Sequence, residues 1–225
     1  MRGIFIALEG TEGSGKSTIA KRLAESFRGQ GRDVIVTREP GGTEIGERIR
    51  RVLLGAGSSG MLAETELLLF AAARAQHVGE LIRPALDRGS FVIADRFSDS
   101  SIAYQAAGRG VPIQSVAAVQ RIATDGLEPD LKLLLDLPVA VGLQRRLAFG
   151  NESNRIDTEA LRFHTRVRNA YLSLAVAEPQ RWRIIDASGT EAEVWKDVQE
   201  SVTVAIRVKR PDEFSVCQDD HRRLS

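Results

Sequence analysis

The 225-residue chain is 43% hydrophobic and 27% charged, a composition that suits one globular domain able to bury a core without staples. Its 31 basic and 30 acidic residues give a formal charge of +1, which favours neither nucleic acid nor a membrane surface as a partner. One cysteine, Cys217, and three scattered histidines exclude a disulfide framework, a cysteine-rich zinc site and an HExxH motif, and no apolar run nears the ~18 residues of a membrane span.

The first element is residues 3–9 (GIFIALE), a nearly continuous apolar run of the kind buried on both faces in parallel sheets, and it has no secretory h-region. Glycine-rich residues 10–15 follow. Residues 17–27 then place apolar side chains at 19, 20, 23, 24 and 27, a helical period. Residues 33–37 (DVIVT) read as a second strand, and 43–54 as a helix that the Thr43 hydroxyl can cap after a Pro-Gly-Gly turn. Residues 62–88 carry one long helical pattern or two, with Pro84 marking a kink or break. A third strand at 91–94 (FVIA) ends in Asp95-Arg96, and helices are expected around 100–107 and 113–125. A fourth strand falls at 131–137, helices at 139–148 and 157–178, a fifth strand at 182–185 and a last helix at about 190–207. Residues 208–225 lose periodicity and read as a frayed, poorly ordered tail. Strands alternating with helices imply a three-layer α/β/α architecture over residues 1–207: a five-stranded parallel sheet, helices on both faces, and active groups at the carboxyl ends of the strands.

Residues Gly10-Thr11-Glu12-Gly13-Ser14-Gly15-Lys16-Ser17 match GxxxxGK[ST] in full, between an apolar strand and a helix. The glycines let backbone N–H groups turn inward around an anion, the helix amides add to that field, and Lys16 adds a full positive charge. The Ser17 hydroxyl is placed to ligate Mg2+, and Thr18 continues the loop into the helix. The expectation is a P-loop NTPase fold that binds a nucleoside triphosphate. Twenty-six of the 31 basic residues are arginine, which suits bidentate phosphate contact and equally fits codon usage.

Four further clusters surround that loop. They are Ala7-Leu8-Glu9-Gly10 with Glu12 inside the loop, Thr37-Arg38-Glu39-Pro40-Gly41-Gly42-Thr43, and FAAARAQH over residues 70–77. The last is Asp95-Arg96-Phe97 with Ser100-Ser101-Ile102-Ala103-Tyr104-Gln105 and Gly108-Arg109-Gly110. In this order, over residues 3–205, the set resembles the thymidylate kinases, which convert dTMP and ATP to dTDP and ADP. That resemblance implies a Mg2+-dependent homodimer acting on small molecules, and with no membrane span or secretory h-region read in the sequence a cytoplasmic protein is expected.

Arg38, just past a strand end, can grip the acceptor monophosphate as a fork with Glu39 as its orienting partner; the plainer alternative is a surface ion pair. Phe70 and Arg74, spaced i, i+4, share a helix face. Phe70 offers a flat surface to a pyrimidine, or belongs to the core, and the donor-only Arg74 suits the O4 acceptor of thymine. Arg96 can reach between donor and acceptor phosphates and damp their repulsion. Ser100 or Ser101 can hydrogen-bond the base edge. The resemblance further implies that Asp95 holds Mg2+ through its waters and that Gln105 meets the base. It also implies that Tyr104 fills the space of a ribose 2′-hydroxyl and that Glu12 accepts from the sugar 3′-hydroxyl.

Family members whose P-loop lacks an arginine carry several in a lid of the form LxRxRxRG…DRxE. With Glu12-Gly13 in its loop, this chain is expected to do so over about residues 145–157, where Arg145 and Arg155 match and Leu147 and Phe149 replace two arginines. The reading gives Arg145 to adenine, beside the family's adenine loop at Asp186-Ala187, and Arg155 or Arg146 to the transferred phosphoryl group. A solvated basic helix face is the alternative. The expected catalytic set is Lys16, Arg96, Arg155 and Arg146, with Ser17 and Asp95 at the metal. Rival readings are another pyrimidine nucleoside monophosphate kinase, or a nucleotide-binding module weakened in catalysis.

Overall fold

A computed structural model describes residues 2–58, 60–148 and 154–209. The central lid residues 149–153, and the tail from 210 onward with Cys217, lie outside the described residues. Five strands, β1 (Phe5–Glu9), β2 (Val34–Arg38), β3 (Phe91–Asp95), β4 (Leu131–Asp136) and β5 (Trp182–Asp186), pair in parallel in the order β2-β3-β1-β4-β5. Burial explains the placement. The central strands β1, β3 and β4 are buried almost without interruption, as strands covered on both faces must be, whereas β2 and β5 at the edges alternate. Strand order reverses at β1, which pairs with β3 on one side and β4 on the other. A crevice therefore opens beyond its carboxyl end, where the glycine-rich loop begins.

Helices α1 (Lys16–Gly29) and α9 (Glu191–Lys209) cover one face, with Leu23, Phe27, Val198 and Val202 packed on Ile6, Leu8, Leu133 and Leu135. The other face takes residues 78–82, which follow α3 (Ala63–His77), and α4 (Arg83–Asp87), with Val78, Ile82, Ala85 and Leu86 packed on Phe5, Ala7, Val92 and Ala94, and then α8 (Leu161–Ala177), whose Val167 and Tyr171 pack with Leu134 and Trp182. Between them run α2 (Glu44–Leu54), α5 (Ser98–Ser101), α6 (Ile113–Thr124) and α7 (Val139–Ala148). The expected cap on α2 forms: the Thr43 hydroxyl accepts from the Gly46 N–H at 3.0 Å.

Two segments depart from the helical period read in the sequence. Val78–Ile82 is a π-helical turn joining α3 to α4, and Pro84 sits in the first turn of α4, so one long helix is widened rather than broken. Proline has no N–H to donate, and the wider turn absorbs the register it would otherwise interrupt. The second π-helical segment, Ile102–Gly108, continues α5. Over five to seven residues, apolar spacing does not distinguish π from α winding.

Candidate active site

After β1 the chain turns through Gly10, Gly13 and Gly15 at φ of 138°, 71° and 90°, backbone that glycine adopts without strain. Gly15 is the N-cap of α1 and no side chain caps it, which leaves the first helix amides to an anion. Lys16 Nζ donates to the Gly10 and Thr11 carbonyls (3.1 and 2.7 Å) and to Ser14 Oγ (3.2 Å). Burial, reinforced by the Arg96 charge and opposed by Asp95, Glu12 and Glu9, pulls its ammonium down to about 8. Ser17 Oγ donates to Asp95 Oδ2 at 2.6 Å, which brings the two expected Mg2+ ligands together. Two hard oxygen donors suit a cation that keeps most of its waters. No cluster of three or more Asp, Glu, His or Cys groups fit to cage a metal occurs among the described residues.

Arg96 holds a φ of 75°, left-handed backbone that is strained for a side-chain-bearing residue, and its N–H is tied to the Leu8 carbonyl at 2.9 Å. Its guanidinium donates to Gly10 O (2.8 Å), Glu12 Oε1 (3.1 Å) and Tyr171 Oη (3.2 Å) and lies 4.9 Å from the centre of the Tyr104 ring. Burial disfavours its charge, but Tyr104, Tyr171, Glu12 and Asp95 together raise its pKa well above the ordinary arginine value. Glu12 Oε1 also accepts from Tyr104 Oη at 2.5 Å, and Oε2 faces His164 Nδ1 at 3.2 Å. Burial alone would raise Glu12; His164, Arg96, Lys16 and Tyr104 hold it well below the usual carboxylate range. Behind it, Glu9 accepts from the Phe97 N–H (2.8 Å), Ser100 Oγ (2.7 Å) and Tyr171 Oη (2.8 Å), and burial together with Asp99 pushes its carboxyl up to about 7.

These groups border a cleft of about 760 Å³. Glu12, Gly13, Gly15, Lys16, Ser17 and Thr18 line it from the loop, Asp95, Arg96, Ser100 and Tyr104 from the end of β3 onward, and Arg38, Glu39, Phe70 and Gln105 line it from the remaining expected positions, whereas Gly10, Thr11, Ser14, Arg145, Asp186 and Ala187 lie outside the lining. Phe70 is half-buried against the core beside α8 and also lines the cleft.

Several expected partnerships are corrected by the geometry. Glu39 does not orient Arg38. Its buried carboxylate takes Arg74 Nε and Nη2 on Oε2 (2.7 and 2.6 Å) and His77 Nδ1 on Oε1 (3.0 Å), and His77 Nε2 meets Thr37 Oγ1 at 2.6 Å. Successive residues along an extended chain point to opposite sides, so Arg38 reaches Glu47 on α2 instead (3.3 Å). Arg74 is not part of the cleft lining. It is 1% exposed and its five N–H groups are committed to Glu39, Ser101 Oγ (3.0 Å), Gln120 Oε1 and the Phe97 carbonyl (3.0 Å). In this geometry it has no donor left for a thymine O4, and Ser101, its partner, is likewise outside the lining.

The lid arginines separate. Arg155 is outside the cleft lining, with Nη2 on Glu66 Oε2 (2.5 Å) and Nε on the Leu53 carbonyl (3.1 Å). Arg146 lines the cleft and donates twice to Asp157 Oδ2 (3.2 and 3.1 Å). Arg145 Nη1 donates to the Ala187 carbonyl at 2.9 Å, beside Asp186, whose Oδ1 accepts from the Ser188 N–H.

Four contributors escaped the sequence reading. Arg50 lines the cleft with Arg38 and donates to the Pro40 carbonyl at 2.8 Å; burial, then the Arg38 charge, lowers its pKa. Its i, i+3 spacing from Glu47 was the available signal. Glu66, buried on α3, gathers Arg155, Arg109 and the Gln105 amide. A Cβ on Gly142 of α7 would stand 2.4 Å from the Glu12 carbonyl, and one on Gly13 2.0 Å from the Gly142 carbonyl, so α7 lies on the loop backbone to backbone. The fourth is His164.

The sequence matches the family model described as thymidylate kinase over residues 8–198. A thymidylate kinase of Ectopseudomonas mendocina is 50% identical over 198 residues, covering 88% of this chain and 94% of that one. One of Pseudomonas syringae pv. tomato is 47% identical over 210 residues, covering 93% and 100%. The crystal structure of thymidylate kinase from Ehrlichia chaffeensis superposes with a TM-score of 0.73 at 30% identity, covering 91% of this chain and 99% of that one.

Proposed function

The chain belongs to the thymidylate kinase family, and on that premise we propose that it transfers the γ-phosphoryl group of ATP to a phosphate oxygen of dTMP, forming dTDP and ADP. The observation that carries the reading is a single cleft holding a P-loop together with Arg38 and Arg50, two guanidiniums near enough for one to lower the other's pKa. A bound monophosphate relieves that repulsion and is met by a fork of donors. Phe70 offers the base its face, Ser100 and Gln105 the base its edge, and Tyr104 stands where a ribose would carry its 2′-hydroxyl. Glu12 accepts from the 3′-hydroxyl.

On the donor side, Lys16 exchanges its two carbonyl acceptors for phosphate oxygens, and Arg145 with Asp186 and Ala187 borders the adenine. Arg96, fixed to three acceptors, stays between the two anions and offsets their repulsion without reorganising. Arg146, the lid arginine that reaches the cleft, neutralises charge on the transferred group, while Arg155 is held by Glu66. Ser17 and Asp95 would hold Mg2+, which when bound supplies charge neutralisation at the donor phosphates. The acceptor is already an anion, so in-line attack needs no general base.

The proposal extends to a cytoplasmic homodimer. No helix among the described residues is long and apolar enough to cross a membrane. Leu68 on α3 and Ile122 on α6 are exposed apolar side chains on two helices that pack together, a face that a second copy can cover. Concentration-dependent sedimentation tests the dimer. A coupled ADP-release assay with dTMP, dUMP and dCMP, backed by chromatography of the product, tests the activity. Turnover on dTMP above the others, with dTDP formed, is expected; binding of both nucleotides without dTDP would overturn the reading.

A further inference from the structure

Glu12 belongs to the P-loop by its backbone and to the acceptor side by its carboxylate. Three side chains from three segments fix that carboxylate: Arg96 and Tyr104 on Oε1, and His164 of α8 on Oε2 at 3.2 Å. Arg96 has other partners in Gly10 and Tyr171, but His164 does not share itself out. Its ring is fully buried, edge-on to Phe163 with centroids 5.3 Å apart, and Nε2 has no hydrogen-bond partner among the described residues. A carboxylate only accepts, so Nδ1 presents its proton to Glu12. Among the described residues Glu12 is the one hydrogen-bond partner of the ring.

We propose that His164 is a positioning residue for the acceptor nucleotide: it fixes the Glu12 carboxylate plane so that an oxygen is presented to the sugar 3′-hydroxyl of dTMP. Arg96 and Tyr104 both hold Oε1, and a carboxylate held through one oxygen can turn about it. The contact on Oε2 removes that freedom. The inference rests on the assignment of Glu12 to the 3′-hydroxyl, and the test separates the two.

Three variants and two substrates suffice. His164→Asn keeps a donor near the Nδ1 position, His164→Gln reaches toward Nε2 instead, and His164→Leu keeps bulk without a donor. Steady-state kinetics are run with dTMP and with 3′-deoxythymidine monophosphate. Leucine should raise the KM for dTMP about tenfold, the scale of a lost hydrogen bond to a charged group, with the KM for ATP changed less than about twofold. Asparagine should restore dTMP binding and glutamine should not. On the 3′-deoxy substrate the leucine variant and wild type should coincide. A wild-type enzyme indifferent to the 3′-hydroxyl would refute the Glu12 assignment and the inference with it. A wild-type preference for the hydroxyl that survives in the leucine variant would refute the inference alone. If the leucine variant does not fold, equal KM values for the asparagine and glutamine variants would overturn it.

Discussion

Glu9 closes β1 with both carboxylate oxygens bonded in the interior, and its carboxyl is pushed up to about 7 from an ordinary 4.5 by burial and by Asp99. Between those values the folded protein keeps a proton that the unfolded chain has released. Stability is therefore highest on the acid side of this window and falls as pH rises through 7. At roughly 1.4 kcal/mol per pH unit, the gap corresponds to about 3 kcal/mol between pH ~4.5 and ~8. Glu9→Gln removes the charge with little change of shape. The glutamine carbonyl can keep the Phe97 N–H, and its amide can donate to the Ser100 and Tyr171 hydroxyls, which accept as well as donate. Urea unfolding of the unliganded protein, followed through Trp182 and Trp195 from about pH 5 to pH 8, gives both stabilities at each pH. The variant should gain on the wild type by about 2–3 kcal/mol across the series. Parallel curves, within about 0.5 kcal/mol, would refute the claim that ionising Glu9 destabilises the fold.

Gly142→Ala places a Cβ 2.4 Å from the Glu12 carbonyl, so α7 must lift from the loop; the KM for ATP should rise about tenfold, and an unchanged KM would show that the helix moves freely. Glu39→Ala strands the buried Arg74 charge, at a cost of about 3–5 kcal/mol and roughly 6–20 °C in Tm by calorimetry. Adding Arg74→Met should recover most of that loss. Arg146→Ala should lower kcat about a hundredfold, Arg155→Ala less than about threefold, and the reverse order in single-turnover assays would return the phosphoryl contact to Arg155.

What could be read in advance was local. Residues 3–9 and 131–137 read as buried strands because both faces of a central strand are covered, and the P-loop and the Thr43 cap lie within a few consecutive residues. Even Lys132, a charge inside β4, leaves the pattern intact because it is buried against Asp99 at 2.7 Å. What could not be read was partnership across the fold. Sequence adjacency points Glu39 to Arg38, whereas its partner Arg74 is 35 residues away. Arg146 and Arg155 are both arginines of the expected lid, and they are told apart by Glu66, 89 residues from Arg155. His164 meets Glu12 across 152 residues, and a single histidine in an amphipathic helix carries no sign of it. Gly142 leaves no pattern at all, since its contribution is the side chain it lacks.

The π-helical winding of Ile102–Gly108 bears on which changes this protein can survive. Ser100, Tyr104 and Gln105 all line the cleft. On an α-helix Ser100 and Gln105 would stand roughly 140° apart, and the i to i+5 winding draws them toward one side. A chain one residue shorter between them would put the two at i, i+4 on an α-helix, roughly 40° apart and still on one side, whereas rewinding to α at the same length would carry Gln105 to roughly 140° from Ser100. Such a rewinding could spare every residue type that lines the cleft and still dismantle its wall, an injury that no inventory of the lining residues would anticipate.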